Sequence, residues 1–189
     1  MNRNLMLAMS IVTFAPLAVA QNSQRAAAPS TRATVSVNLT PARGVEGVEP
    51  ATIKIDYGQP HLRGRRLHTG DLVPLDSIWR FGANESTTLT TGVDFVLGGH
   101  RLAKGAYSLY VLPRTAGWKL IVNSNTGQWG TEYDAKYDVV RLDLKKSVLS
   151  SPVESFSVWL IPSAAAGAPG GELRFAWGEA ALSTDWRVP

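Results

Sequence analysis

The sequence contains no cysteine, and its three methionines, Met1, Met6 and Met9, all lie within the first ten residues. The chain beyond Met9 therefore has no sulphur, which excludes disulfides, zinc–thiolate sites, iron–sulfur clusters, a cysteine nucleophile and a thioether copper ligand there. Long apolar runs are also lacking after the N-terminus, so we predict no stable membrane span. The length of 189 residues suits one domain with a substantial core.

The N-terminus has the layout of an export signal. A short basic start containing Arg3 precedes a mostly apolar stretch, and Ala18 and Ala20 supply the small residues of a signal-peptidase site. The stretch is short for a membrane-spanning helix, and Pro16 interrupts it. We therefore predict a signal peptide over residues 1–20, cleaved after Ala20, and a periplasmic or secreted protein.

The rest of the chain predicts an all-β fold. Residues 21–33 show no pattern that buries a face, so we expect a flexible lead-in before a single domain over residues 34–189. Apolar residues then recur at every second position, which is typical of strands with one buried face. Four segments show this alternation: Val35, Val37 and Leu39; Ile53, Ile55 and Tyr57; Val140, Leu142 and Leu144; Leu173, Phe175 and Trp177.

Three further runs, residues 106–112, 118–122 and 156–161, are rich in β-branched and aromatic residues and predict strands covered on both faces. The one predicted helical element is a short turn around residues 74–79. About nine to ten strands at hairpin-like spacing favour an antiparallel β-sandwich or jelly roll.

The densest polar cluster lies in residues 79–88 and contains Arg80, Asn84 and Glu85. Arg80 offers five donors, and the other two side chains offer acceptors to match. One interpretation is a ligand-binding or acid/base site at the mouth of the sandwich, flanked by Trp129. The alternative is structural: Arg80 pairs with Glu85, and Asn84 caps a tight turn.

A second cluster concentrates five basic side chains, His61, Arg63, Arg65, Arg66 and His68, in eight residues. The three arginines are candidates for binding a phosphate, sulfate or carboxylate. The alternative is a solvated loop. We predict no nucleic-acid partner, because the protein is expected to be exported and the cluster has no interleaved aromatic residue for base stacking.

Other chemical signatures are missing. His61, His68 and His100 lack the His-x-His spacing of many β-sandwich metal sites, so we predict no metal and no cofactor. Gly-x-Ser-x-Gly, Walker-type and His-Glu-x-x-His motifs are absent. Residues 128–130, with neighbouring tyrosines, suit either sugar stacking or an aromatic core.

Several strings, YGQPHLRGRRL, GDLVPLDSIWRFGANESTTLT, LAKGAYSLYVLP, GWKLIVN and QWGTEYD, resemble a family of exported bacterial proteins known as domain of unknown function 2911. The resemblance extends over residues 51–186, and its most recognisable part is Trp-Arg-x-Gly-Ala-Asn-Glu at residues 79–85. It implies an exported domain and names no activity.

Two functional hypotheses follow. The first is a binding or interaction module of the cell envelope for a small molecule, a glycan or a protein, with Arg80, Asn84 and Glu85 near a groove flanked by Trp129. The second is a hydrolase-like enzyme, with Glu85 as general acid or base and Arg80 holding an anion. The first is favoured, because the sequence reveals no nucleophile–base pair and no metal set.

Overall fold

The computed structural model describes residues 28–68, 72–165 and 167–189, so the predicted signal peptide and most of the predicted lead-in lie outside the described residues. The described residues form twelve strands and one turn of 3-10 helix, Ala135–Tyr137, with no α-helix. The strands are β1 Arg32–Leu39, β2 Ala51–Gly58, β3 Thr87–Thr91, β4 Phe95–Leu97, β5 His100–Leu102, β6 Gly105–Leu112, β7 Lys119–Asn123, β8 Asp138–Asp143, β9 Lys145–Ser147, β10 Val153–Pro162, β11 Gly170–Gly178 and β12 Ala180–Arg187.

The strands form two antiparallel sheets, which confirms the all-β prediction. The first sheet has the order β1-β2-β3-β6-β7-β8, and the second has the order β10-β11-β12-β4-β5, with β9 also paired to β12. The strand number exceeds the prediction because β4, β5 and β9 have three residues each, too few to show an alternating pattern. The strand β1 begins two residues before Thr34, where the alternation was expected to start.

Aromatic residues fill the space between the two sheets. Phe81 and Phe156 pack edge to face at a centroid distance of 5.1 Å, and Phe81 and Phe175 do so at 4.6 Å. Trp79 stacks on Trp177 at 5.7 Å. Because each such ring removes a large apolar area from water, this cluster stabilises a chain that has no disulfide.

Strand β7 and residues 108–112 of β6 are buried on both faces, as predicted, whereas the first residues of β6, Gly105 and Ala106, are exposed. The outer face of these two strands carries a small second cluster of Tyr110, Leu112 and Ile121, against which Ile78 and Tyr133 pack. This cover explains why apolar residues follow one another without alternation in these two strands.

Two local predictions are wrong. Residues 156–161 in β10 alternate between buried and more exposed positions, because β10 is an edge strand with one face on the core and the other toward solvent. Residues 74–79, expected as a helical turn, instead form a turn and then an extended segment. That segment ends at Trp79, which exchanges backbone hydrogen bonds of 2.8 and 2.9 Å with Val111 in β6.

Candidate functional site

Residues 79–85, here called the 79–85 block, link the aromatic core to the surface. Trp79 and Phe81 are buried in the core, whereas Glu85 is exposed. Two residues of the block, Phe81 and Asn84, have φ values of 49° and 63°, in the left-handed region that few non-glycine residues adopt. Trp79 and Thr87, the first residue of β3, both pair with β6 in the antiparallel sense, so the block is an excursion of the chain between two points on the same neighbouring strand.

Close backbone contacts fix the block against the end of β2. A Cβ atom on Gly58 would collide with the carbonyl group of Ala83. A Cβ atom on Gly82 would lie 2.8 Å from Thr87 Oγ1 and 2.9 Å from the carbonyl oxygen of Gly58. Backbone contacts this close leave no room for side chains, so Gly58 and Gly82 are required for the packing of this region.

A two-residue ladder places Glu85 beside Trp129. The Gly130 N–H donates to the Asn84 carbonyl at 2.9 Å, and the Ser86 N–H donates to the Gln128 carbonyl at 3.1 Å. These bonds flank Glu85 and Trp129, which therefore form a non-hydrogen-bonded antiparallel pair, the arrangement in which opposite side chains lie closest. Trp129 is 46% exposed and so does not belong to the core.

The charged side chains of the block pair differently from the structural interpretation of the sequence. The Glu85 carboxylate lies 3.7 Å from Nη1 of Arg32, and Arg32 Nε also donates to Asp56 Oδ1 at 2.8 Å. Arg80 instead runs across Gly130, at the position that a Cβ atom would occupy. The predicted Arg80–Glu85 ion pair is therefore wrong, because the extended start of β1 brings Arg32 to the carboxylate.

Asn84 and Asp56 also serve to hold the chain together. The Asn84 side-chain amide donates to the Ser30 carbonyl at 3.3 Å. Burial by itself raises the pKa of Asp56, but hydrogen bonds from Arg32 and Thr34 outweigh this effect and hold the pKa below its usual value. The structure thus brings Arg80, Asn84, Glu85 and Trp129 into one region, where their contacts connect β1, β2 and the segment around Trp129.

The second predicted cluster, residues 61–68, here called the basic loop, is anchored to the start of β10. The Leu62 N–H donates to the Glu154 carbonyl at 2.9 Å, and the Arg63 N–H donates to Glu154 Oε1 at 2.7 Å. The Arg65 guanidinium donates through Nε to the Leu62 carbonyl at 2.9 Å and through Nη2 to the His61 carbonyl at 3.0 Å. The described residues of this loop therefore have a defined conformation stabilised by hydrogen bonds.

A pocket of about 610 Å³ lies between the basic loop, the start of β10, strand β9 and the turn that joins β11 to β12. Its walls are mostly apolar and include Leu62, Leu67, Trp118, Ala180 and Leu182. This volume and lining are typical of a site for a small molecule. The walls come from segments more than 100 residues apart, so the sequence offered no local signal for the pocket.

Charged groups surround the apolar walls. Of the residues that the structure describes, Arg65 and Arg66 from the basic loop and Lys146 from β9 supply three cations, and Glu154 and Glu179 supply two carboxylates. Two of the three predicted anion-binding arginines thus line the pocket. Arg63 is not among the lining residues, although its backbone N–H helps to hold Glu154. Sequence reasoning did not identify Lys146 or Trp118 as site residues, because Lys146 belongs to no recognisable motif and Trp118 belongs to a run that predicts a buried strand.

His68 places an imidazole on the pocket wall. Its Nδ1 lies 2.9 Å from the Val73 carbonyl oxygen, and because a carbonyl can only accept, Nδ1 carries the proton. The ring packs edge to face on Trp118 at a centroid distance of 5.6 Å. His61 is engaged elsewhere, with Nδ1 at 2.8 Å from Ser155 Oγ. In the part of the chain that the structure describes, no group of three or more histidine, aspartate or glutamate residues is arranged to hold a metal ion.

A polar network supports the segment that carries Trp129. The Tyr133 hydroxyl donates to Asp138 Oδ2 at 2.7 Å and accepts from Arg141 Nη2 at 2.8 Å. Burial and the bond to the Asp138 carboxylate raise the pKa of Tyr133 to about 12. The Tyr133 ring packs edge to face on Tyr110 at 4.9 Å, so this segment is fixed to the outer face of the first sheet.

Fold and site together define an all-β protein of two antiparallel sheets, with an apolar pocket rimmed by charged groups beside the edge of the second sheet. The family described as "Protein of unknown function (DUF2911)" matches residues 40–185, and the chain belongs to this family, which confirms the resemblance. Comparisons with curated proteins and with solved structures gave no match. Within the three described ranges, no helix is long and apolar enough to cross a membrane.

Proposed function

We propose that the protein is a binding module that takes a small ligand with an apolar body in the basic-loop pocket. The observation that carries this proposal is the pocket itself, an open cavity of about 610 Å³ whose lining includes leucine, alanine and tryptophan side chains together with charged groups. Sites of this size with apolar walls and a few polar groups are typical of small-molecule binding.

The packing of the pocket walls favours binding without a large rearrangement. Trp118 is 7% exposed and Leu182 is 1% exposed, so both are held by the core before any ligand arrives. A preorganised site loses little conformational entropy on binding. Each methylene group that a ligand buries there contributes about 0.8 kcal/mol.

The proposal includes export to the periplasm or the medium. It rests on the basic start, the apolar stretch and the small residues at Ala18 and Ala20, together with a sequence that has no cysteine to be oxidised outside the cytoplasm. N-terminal sequencing of the protein recovered from its host is expected to begin at Gln21. Recovery of an intact Met1 from the cytosolic fraction would contradict export.

The hydrolase alternative and the ligand site around Glu85 stay predictions. The Glu85 side chain is 58% exposed and lies beside Arg32. None of the described residues of the 79–85 block lines the pocket. The geometry therefore supports the pocket as the first place to test for binding.

The test uses the neutral apolar fluorophore N-phenylnaphthylamine and a variant that fills the pocket. Ala180→Leu adds a branched side chain to the pocket wall, so we expect the fluorophore affinity to fall at least tenfold. Ala135→Leu makes the same change at an exposed position that does not line the pocket and is the matched control, with no expected loss.

Circular dichroism and thermal melting must show that both variants are folded. Equal fluorophore binding by the wild type, the folded Ala180→Leu variant and the control would contradict the proposal, since binding would then occur elsewhere. A wild type that does not bind the fluorophore would contradict it as well.

A further inference from the structure

We propose that the ligand of the basic-loop pocket is an amphipathic anion, a single apolar chain or ring system that ends in one carboxylate, with Arg65 and Lys146 binding the acid group. This inference rests on the proposed function, because it names the ligand class of the same pocket.

Arg65 is a preorganised cation at the pocket. Two of its N–H groups donate to carbonyls of its own loop, the Leu62 oxygen at 2.9 Å and the His61 oxygen at 3.0 Å. A guanidinium has five N–H donors, so three remain after these bonds. Since the loop itself holds the side chain in place, a carboxylate that binds it does not have to immobilise a flexible arginine.

Lys146 provides the second cation from a different wall. In the antiparallel pair of β9 and β12, Lys146 lies opposite Leu182, so both side chains leave the sheet on the same face. Leu182 and Lys146 both line the pocket, so the Lys146 side chain lies beside the apolar wall. Its neighbour Lys145 is engaged with Asp185 at 2.6 Å and does not line the pocket.

The two carboxylates that line the pocket do not change the expected preference for an anionic ligand. The Glu154 carboxylate accepts a hydrogen bond from the Arg63 N–H at 2.7 Å and so acts to hold the basic loop. Glu179 lies in the two-residue turn between β11 and β12 and is exposed. Among the lining residues that the structure describes, three cations against two carboxylates give a net positive charge, and Arg63 adds to it from the same loop.

The apolar walls, together with the cations, distinguish between three classes of ligand. An inorganic phosphate or sulfate would satisfy the cations but would bury no apolar surface against the walls that Leu67, Trp118 and Leu182 form. A neutral alcohol would fill the apolar space but would leave Arg65 and Lys146 without an anionic partner. A long-chain carboxylate satisfies both parts of the pocket, through buried methylene groups and charge-assisted hydrogen bonds.

The test compares three ligands with the same twelve-carbon chain below their micellar range. Dodecanoate, dodecanol and dodecyltrimethylammonium are each titrated as competitors of bound N-phenylnaphthylamine. The titrations are carried out on the wild type and on the Lys146→Gln and Lys145→Gln variants. We expect dodecanoate to bind the wild type at least tenfold more tightly than dodecanol, and Lys146→Gln to remove most of that difference. Lys145→Gln removes the same charge from the same strand and is expected to preserve the difference.

The inference has further support if Arg65→Lys, which keeps the charge but loses the planar fork, also weakens dodecanoate relative to dodecanol. Dodecanol binding as tightly as dodecanoate would overturn the inference and leave the proposed function intact. Preference for dodecyltrimethylammonium would overturn it in favour of the two glutamates. Failure of the fluorophore itself to bind would instead overturn the proposed function.

Discussion

The 79–85 block and the basic loop are both dense in polar residues in the sequence, yet they have different roles in the fold. The block is held by backbone: Gly58 and Gly82 allow main chains to touch, and its charged groups connect neighbouring segments. The basic loop is held by hydrogen bonds to β10 and displays its arginines at an open pocket. The more recognisable motif is therefore the more architectural one.

The difference between these regions comes from concavity, which the local sequence does not encode. Residues of the block lie where β2, β3 and the Trp129 segment meet, and close contacts leave little space between them. The basic loop instead meets a hairpin turn and the short strand β9, which leave a gap above Trp118 and Leu182. A cluster of charged residues becomes a candidate site only where distant segments enclose a volume beside it.

The largest expected effect tests the backbone packing of the block. Gly58→Ala would drive a Cβ atom into the Ala83 carbonyl, so we expect a loss of about 3 kcal/mol or more in the free energy of unfolding. Gly92→Ala is the matched control, since its nearest new contact is 3.3 Å from the Ala51 Cβ. Urea denaturation measures both. Similar stabilities for the two variants would contradict the role assigned to this contact.

A smaller loss of stability with a larger effect on binding is expected in the basic loop. Leu67 is buried and lines the pocket, so Leu67→Ala should cost about 2 kcal/mol and also weaken N-phenylnaphthylamine binding. A milder substitution, Leu67→Met, should preserve most of the stability and serves as the reference. Unchanged fluorophore affinity in a folded but destabilised Leu67→Ala variant would contradict binding in this pocket.

Alkaline pH provides a third test, on the network that supports the Trp129 segment. In the folded protein the pKa of Tyr133 is raised from 10.0 to about 12. The contribution of the protonated hydroxyl to the free energy of unfolding is therefore fully present below pH 10 and is lost as the pH rises toward about 12. Tyr133→Phe removes the hydroxyl and its titration. The stability advantage of the wild type over this variant should therefore shrink between pH 10 and 12 in denaturant melts. A constant difference would contradict the shift.

The smallest expected effect is that of Glu85→Gln. Its carboxylate is exposed and lies 3.7 Å from Arg32, so we expect a loss of about 0.5 kcal/mol and unchanged fluorophore affinity. Arg80→Lys should likewise leave binding unchanged. A large fall in affinity for either folded variant would return the ligand site to the block.

Much of the fold could be predicted because period-two alternation follows directly from one-sided burial. Ile53, Ile55 and Tyr57 are buried as the pattern of β2 indicates. The apolar and aromatic run in β10 predicts burial on both faces, which is wrong, because Trp159 lies on the solvent-facing side of an edge strand. Three-residue strands such as β9 have too few positions for any pattern, although β9 carries Lys146.

The candidate site could be predicted only in part. Arg65 and Arg66 stood out by charge density alone, and they do line the pocket. The partner of Glu85 could not be found from spacing, since Arg32 reaches it from 53 positions away through strand pairing. The apolar walls could not be predicted either, because Trp118 and Leu182 have the sequence pattern of ordinary core residues.

The central claim is that the ligand site lies beneath the basic loop and not at the 79–85 block. Photolabelling with a diazirine-bearing dodecanoate, followed by peptide mapping, tests this claim directly. We predict that label is found in residues 62–68 and 178–182 and is lost when unlabelled dodecanoate competes. Competable label in residues 80–85 or at Trp129, with none in the pocket segments, would contradict the claim.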